Sequence, residues 1–181
     1  MIDASGEPLR RLFFALDCPL EQRRAIARWR GTLRLRAGRP VPAENFHVTL
    51  LFLGAVAAAQ VPDICTAAAK VRVPGKAVRL MLDRLDVWRR SGVMVLAAEQ
   101  APPELLRLVY ALEQAMLPFG LEDRPKEFRP HLTLMRDYRA QVPESTIPPE
   151  FHLRAEHFAL YESHKGGYRA LAEWPLLAAD S

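Results

Sequence analysis

Apolar residues fall along the chain in short dense runs, separated by stretches where they recur with a helical spacing. Leu9 to Asp17, LRRLFFALD, mixes aromatic and aliphatic residues and predicts a strand. Pro19 marks a helix start. Through LEQRRAIARWRGTLRLR the apolar residues Leu20, Ile26, Trp29 and Leu33 are separated by charges, as in an amphipathic helix. The proline-rich connection AGRPVPAEN leads into NFHVTLLFLG, a strand ended by Gly54, and AAAQVPDICTAAAKVR predicts a helix opening near Pro62. AVRLMLDRLDVW and GVMVLAAEQ read as two strands joined by an RRSG turn. Pro102 and Pro103 open a helix through ELLRLVYALEQAMLPFG, which Gly120 stops. After the linker LEDRPKEF comes the strand RPHLTLMR; DYRAQVPESTIPPE is too proline-rich to be regular, and FHLRAEHFALYES and YRALAEWPL finish as strands around an HKGG turn. Strand, helix and strand occur before residue 60, and strands, helix and strand recur before residue 140. That order suggests two similar halves in one domain spanning residues 1–181.

The strands NFHVTLLFLG and RPHLTLMR share one feature: each carries His-x-Thr-Leu inside an apolar run. Successive side chains on a strand point to opposite faces, which groups His47 with Thr49 and Val48 with Leu50 and Phe52. The same alternation groups His131 with Thr133. Each strand thus presents an imidazole and a hydroxyl about 6 to 7 Å apart, at a rise of roughly 3.3 Å per residue, and one phosphate group can touch both. An imidazole titrates near neutrality, so one of a pair can take a proton while the other gives one. Two such groups flanking a phosphodiester suit its hydrolysis: one activates water, the other protonates the departing ribose oxygen. The hydroxyls of Thr49 and Thr133 suit the non-bridging oxygens. No metal and no cofactor are needed.

The bland alternative, two inert core histidines beside β-branched strand formers, accounts for one such motif better than for two. Zinc is the other competitor. His152, His157 and His164 lie five and seven residues apart within a strand and turn, which matches no usual ligand spacing, and cysteine support is lacking. Cys18 and Cys65 have no CxxC spacing and read as reduced packing thiols.

The chain has 181 residues, a formal charge of +4 and a pI near 9.4, so anionic partners suit it. Small basic groups, Arg34 with Arg36 and Arg39, Arg89 with Arg90, Lys126 with Arg129, and Lys165 with Arg169, favour a basic cleft. No apolar run approaches the roughly 20 residues of a bilayer span, and the N-terminus lacks the order of a secretory signal. A cytoplasmic, membrane-free monomer is the expectation.

Several segments together resemble the 2H phosphoesterase superfamily, and within it the bacterial and archaeal RNA 2′,3′-cyclic phosphodiesterases, also called 2′-5′ RNA ligases. They are RLFFALDCP, VPAENFHVTLLFLG, SGVMVLAAE before PPELLRLVYALE, FRPHLTLMR, and LYES followed by GGYRALAEWPL. The resemblance implies a bilobal α+β fold, each lobe an antiparallel sheet backed by helices, with one motif per lobe facing a central cleft. It implies RNA or nucleotides with a 2′,3′-cyclic phosphate terminus as substrate, opened to a 2′-phosphomonoester. It makes His47 the proton donor to the leaving 3′ oxygen and His131 the acceptor that activates water. Thr49 and Thr133 match phosphate-holding positions, and Arg129 lies where the family often has a basic residue. The loop GRPVPAEN departs from the family's common tryptophan-bearing version. Two alternatives remain open: a ligase joining RNA halves through a 2′-5′ linkage, and a non-catalytic module that binds RNA ends. Phe46, Trp88 and Tyr168 are candidates for stacking on a base, with packing favoured for each singly.

Overall fold

The computed structural model describes residues 1–121 and 127–178. Most of the linker LEDRPKEF, and the cation Lys126, lie outside the described residues. In chain order the elements are β1 (Leu9–Asp17), α1 (Leu20–Thr32), β2 (Arg39–Pro40), β3 (His47–Ala57), α2 (Val61–Ala69), β4 (Val78–Leu82), β5 (Arg84–Trp88), β6 (Val93–Ala97), α3 (Pro103–Met116), β7 (His131–Arg136), β8 (Phe151–Ala155), β9 (His157–His164) and β10 (Gly167–Pro175).

Within β1, every residue from Leu12 to Leu16 is buried, the pattern of a strand covered on both faces. The reason is its place in the sheet. β1 runs between β3 and β9 in an antiparallel sheet of order β10-β9-β1-β3. A second antiparallel sheet has the order β2-β7-β6-β5, and β4 pairs with β8 in a two-stranded ribbon. The two larger sheets meet where β3 touches β7, so each His-x-Thr strand sits at the junction. The expected α+β arrangement of antiparallel sheets with few helices is what forms.

The helices back the sheets and the ribbon, and α3 reaches the junction, where Glu113 lines a cavity. α3 packs on α2 and β3 and buries Leu105, Leu108, Val109, Leu112 and Met116, the stripe its 3.6-residue period provides. α1 buries Ile26 and Trp29, whose ring meets Phe151 of β8 edge-on at 5.8 Å while its Nε1 donates to the Ile147 carbonyl at 2.8 Å. Leu20, counted with that apolar face, is instead 60% exposed at the helix start. Among the described residues no polar or charged side chain is fully buried.

Leu96, in the middle of β6, lies opposite Leu85 and Leu132 and is fully buried. Leu96→Ala is expected to destabilise the fold by about 2–5 kcal/mol, combining lost transfer energy and a residual cavity. Urea unfolding measures it, and a loss below about 1 kcal/mol would mean the site collapses around the smaller side chain.

Several boundaries differ from the sequence reading: α1 stops at Thr32, short of Arg36, and the AGRPVPAEN connection holds the two-residue strand β2. AVRLMLDRLDVW is two strands in different sheets, parted at Asp83, whose carboxylate accepts from the Glu99 amide at 3.0 Å. FHLRAEHFALYES likewise divides at Glu156 into β8 and β9. Gly54 does not end its strand. It adopts φ 75° inside β3, next to an irregularity opposite Leu12 and Phe13, and pairing continues to Ala57.

Candidate active site

Both motif histidines sit at the first residue of their strand, and both are held the same way. The Nδ1 of His47 donates to the carbonyl of Asn45 at 2.8 Å, and that of His131 to the carbonyl of Arg129 at 2.8 Å. A carbonyl can only accept, so the neutral ring carries its proton on Nδ1. Nε2 is then the bare nitrogen in each. In His47 it receives the Thr49 hydroxyl at 2.9 Å.

The strands share a second device. Opposite β1, Ala15 pairs with Thr49 and Phe14 with Leu51, which leaves Leu50 as an extra residue. Opposite β6, Val95 pairs with Thr133 and Met94 with Met135, which leaves Leu134 extra. Each is a β-bulge three residues after the histidine, and a bulge shifts the alternation that follows it. Leu51 and Met135 therefore turn inward, at 6% and 3% exposure. Phe52 and Arg136, five residues after each histidine, turn outward. Phe52 faces the same way as His47 and Thr49, contrary to the strict alternation that groups it with Val48 and Leu50. Phe13, its partner across the sheet, touches the rings of both Phe52 at 5.8 Å and His47 at 5.0 Å.

The two halves converge. A cavity of about 160 Å³ is lined by Thr49 and Phe52 from β3 and by Trp88, Arg129 and His131 from the second sheet, with Phe128 beside them. Arg136 of β7 donates through Nη2 to the Tyr168 hydroxyl of β10 at 3.2 Å, and the Tyr168 ring meets His47 edge-on at 5.0 Å.

This architecture has relatives. The model of the LigT like Phosphoesterase family matches residues 16–95. An RNA 2′,3′-cyclic phosphodiesterase of Escherichia coli (strain K12) is 38% identical over 182 aligned residues, covering 94% of this chain and 98% of its own length. The chain belongs to the LigT-like phosphoesterase family. A protein of the same description from Thermus thermophilus is 30% identical over 84% of this chain and 81% of its own. The crystal structure of E. coli LigT complexed with 3′-AMP superposes with a TM-score of 0.81 at 36% identity, covering 93% of this chain and 99% of that one.

Burial sets the electrostatics of this phosphoesterase site. It pushes the His47 imidazole down to about 4; the Asn45 hydrogen bond opposes the fall, while Arg136 and His131 add to it. Burial also lowers His131 below its ordinary 6.5, with the Arg129 charge reinforcing it. In the free protein near neutrality both rings are uncharged, with two bare Nε2 atoms available to take protons.

Of the residues singled out in the sequence, His47 and Thr49 are in direct contact, and Thr49 and His131 line one cavity. Thr133 lies on the same face of β7 as His131, half-exposed. Arg129 spreads its guanidinium over the Trp88 ring at 4.9 Å, and that ring lies 4.3 Å from His131. Phe46 is packed in the core at 1% exposure, beneath Arg30. His152, His157 and His164 are exposed and apart: the first pairs with Glu150, the second lies 3.6 Å from Glu173, and the third contacts the Lys165 carbonyl. Among the described residues no helix is long and apolar enough to cross a membrane.

Arg136 is the residue that sequence reasoning missed. Read by strict alternation it falls opposite His131 and Thr133. Only the Leu134 bulge puts its charge where His47 feels it.

Proposed function

We propose that this phosphoesterase hydrolyses terminal 2′,3′-cyclic phosphates of RNA or nucleotides to 2′-phosphomonoesters, with His47 and His131 exchanging protons with the substrate. The observation that carries the reading is the matched pair of histidines, each with Nδ1 tied to the carbonyl two residues back. That tie leaves Nε2 bare in each ring, on two strands that meet at one junction. It supplies the tautomer and orientation that general acid–base transfer requires.

In this reading His131 Nε2 takes a proton from water as the water oxygen bonds to phosphorus. The bond from phosphorus to the ribose 3′ oxygen breaks on the opposite side, and His47 gives that oxygen a proton. The phosphate remains on the 2′ oxygen. Thr49, Thr133 and the Arg136 guanidinium, with Arg129 on the His131 side, stabilise charge growing on the non-bridging oxygens.

His47 must be protonated to act as donor, and burial and Arg136 oppose that in the free protein. The substrate resolves the conflict. An anionic phosphate between the two groups neutralises Arg136 and favours the imidazolium, so binding draws the needed proton onto His47.

A pH series tests this. Turnover needs one ring charged and one neutral. His47 titrates near 4 and His131 below 6.5 in the free protein, so kcat/KM, which reports the free enzyme, is expected to peak between these limits. Above the higher of the two values the single proton is lost, and kcat/KM falls about tenfold per pH unit. The kcat profile lies at higher pH, because bound phosphate raises both imidazoles. A kcat/KM maximum above pH 7 contradicts the assignment.

A further inference from the structure

A second cavity, of about 500 Å³, opens between one flank of α3 and the connection that follows α2. Arg72 and Lys76 line it from the connection, and Glu104, Arg107, Leu108 and Ala111 from the helix. Three cations meet one carboxylate there, and among the described residues none of the three cations makes a side-chain ion pair or hydrogen bond. Single solvated cations are ordinary, but several around one concavity add their fields and attract an anion. The connection is held in place: Gly75 bridges to Leu177, and its carbonyl accepts from the Ala178 amide at 3.1 Å.

α3 links this cavity to the active site. At about 3.6 residues per turn, Arg107, Tyr110 and Glu113 step across the face of the helix opposite its buried stripe. Arg107 belongs to the wall of the basic cavity, and Glu113 to the wall of the cavity that Thr49 and His131 line. Side chains three apart on a helix stand about 5–6 Å from each other, so the crossing spans roughly 10–12 Å. That is three or four nucleotides at about 3.4 Å each in a stacked strand. Tyr110, midway, is 63% exposed and presents a ring to whatever crosses. The neighbouring opening has the wrong sign for phosphate. Beyond Trp88 and Arg129 a cavity sets Asp86, Glu99 and Glu127 against Arg84 and Arg129.

We propose that Arg72, Lys76 and Arg107 bind backbone phosphates of a single RNA strand whose cyclic-phosphate end sits at His47 and His131, the strand crossing α3 over Tyr110. The inference rests on the phosphodiesterase reading above and selects RNA over mononucleotides as the substrate.

The test compares adenosine 2′,3′-cyclic phosphate with an RNA octamer that carries the same end. Wild-type protein is expected to favour the octamer in kcat/KM by about tenfold at low salt, and to lose that preference as salt rises, since each phosphate contact on a single strand contributes roughly 0.7 to the slope against log salt. Arg72→Gln, Lys76→Gln and Arg107→Gln together are expected to remove the preference and to flatten the slope by about 2. Turnover of the nucleoside compound, too short to reach the far flank of α3, stays unchanged and serves as the folding control. No preference in the wild type, a preference that survives the triple substitution, or equal losses on both compounds overturns the RNA track. So does a small-anion site, recognised by inorganic tripolyphosphate altering the nucleoside reaction of the wild type and not of the triple variant while the octamer gains nothing. A wild-type protein inert toward both compounds overturns the hydrolase reading. Octamer binding, followed by fluorescence anisotropy, then judges the track alone, and binding that the triple substitution leaves unchanged overturns it.

Discussion

His131→Ala is expected to lower kcat on a nucleoside 2′,3′-cyclic phosphate by about 10²–10⁴-fold, the usual contribution of a positioned acid or base. His47→Ala should lose as much. The fold should survive, because each ring makes few hydrogen bonds and lies at a strand end outside the hydrophobic core, and a circular dichroism melt verifies it. The double variant should be little worse than either single one, since the two rings act on one transition state and their effects do not add. Product formation by either single variant above a tenth of the wild-type rate, in excess chelator, refutes the two-histidine mechanism.

The second large effect concerns Arg136. Removing one preorganised donor to a developing oxyanion typically costs about 10²–10³-fold, and Arg136→Leu is expected to fall in that range in kcat/KM. Arg136→Lys should recover only part of the loss, since an ammonium lacks the planar fork that spans two phosphate oxygens. The same leucine variant carries a second signature. Arg136 helps hold the His47 imidazole down, so its removal lets that imidazole rise and moves the limb it governs to higher pH. Loss of rate with an unmoved profile would mean that Arg136 holds Tyr168 in place and does not act on the reacting phosphate. Rates within about threefold of wild type would remove it from the site altogether.

Much of this site is readable in the linear chain because its key residues are local. A histidine and a threonine two apart in an apolar run declare both a strand and a polar face, and two such runs declare a pair. The carbonyl that fixes each imidazole is equally local, two residues back. What stays hidden depends on one-residue irregularities. Nothing in HVTLLFLG or HLTLMR announces that Leu50 and Leu134 are extra residues, so the orientations of Phe52 and Arg136 cannot be counted from the histidine. Asp83 and Glu156 mark strand breaks through a change of parity, from Val78, Leu80 and Leu82 to Leu85 and Val87, and from Phe151, Leu153 and Ala155 to Phe158 and Leu160, which a single acidic residue inside a short run does not announce. The contact of Tyr168 with His47 joins residues more than a hundred positions apart, and only the fold supplies it.

The paired bulges also govern where the gene can tolerate length changes. Straightening the strand at Leu134 with the residue count unchanged would turn the Arg136 guanidinium toward the packed side and pull Met135 out of it, and the same change at Leu50 would do this to Phe52 and Leu51; deleting either leucine along with its bulge leaves those faces as they are. Substitutions at either leucine leave the count intact and change only local packing. Among viable variants, loss of one residue should therefore be tolerated at either bulge but not between the histidine and threonine of either motif, whereas the irregular segment after β7 has no such register to keep.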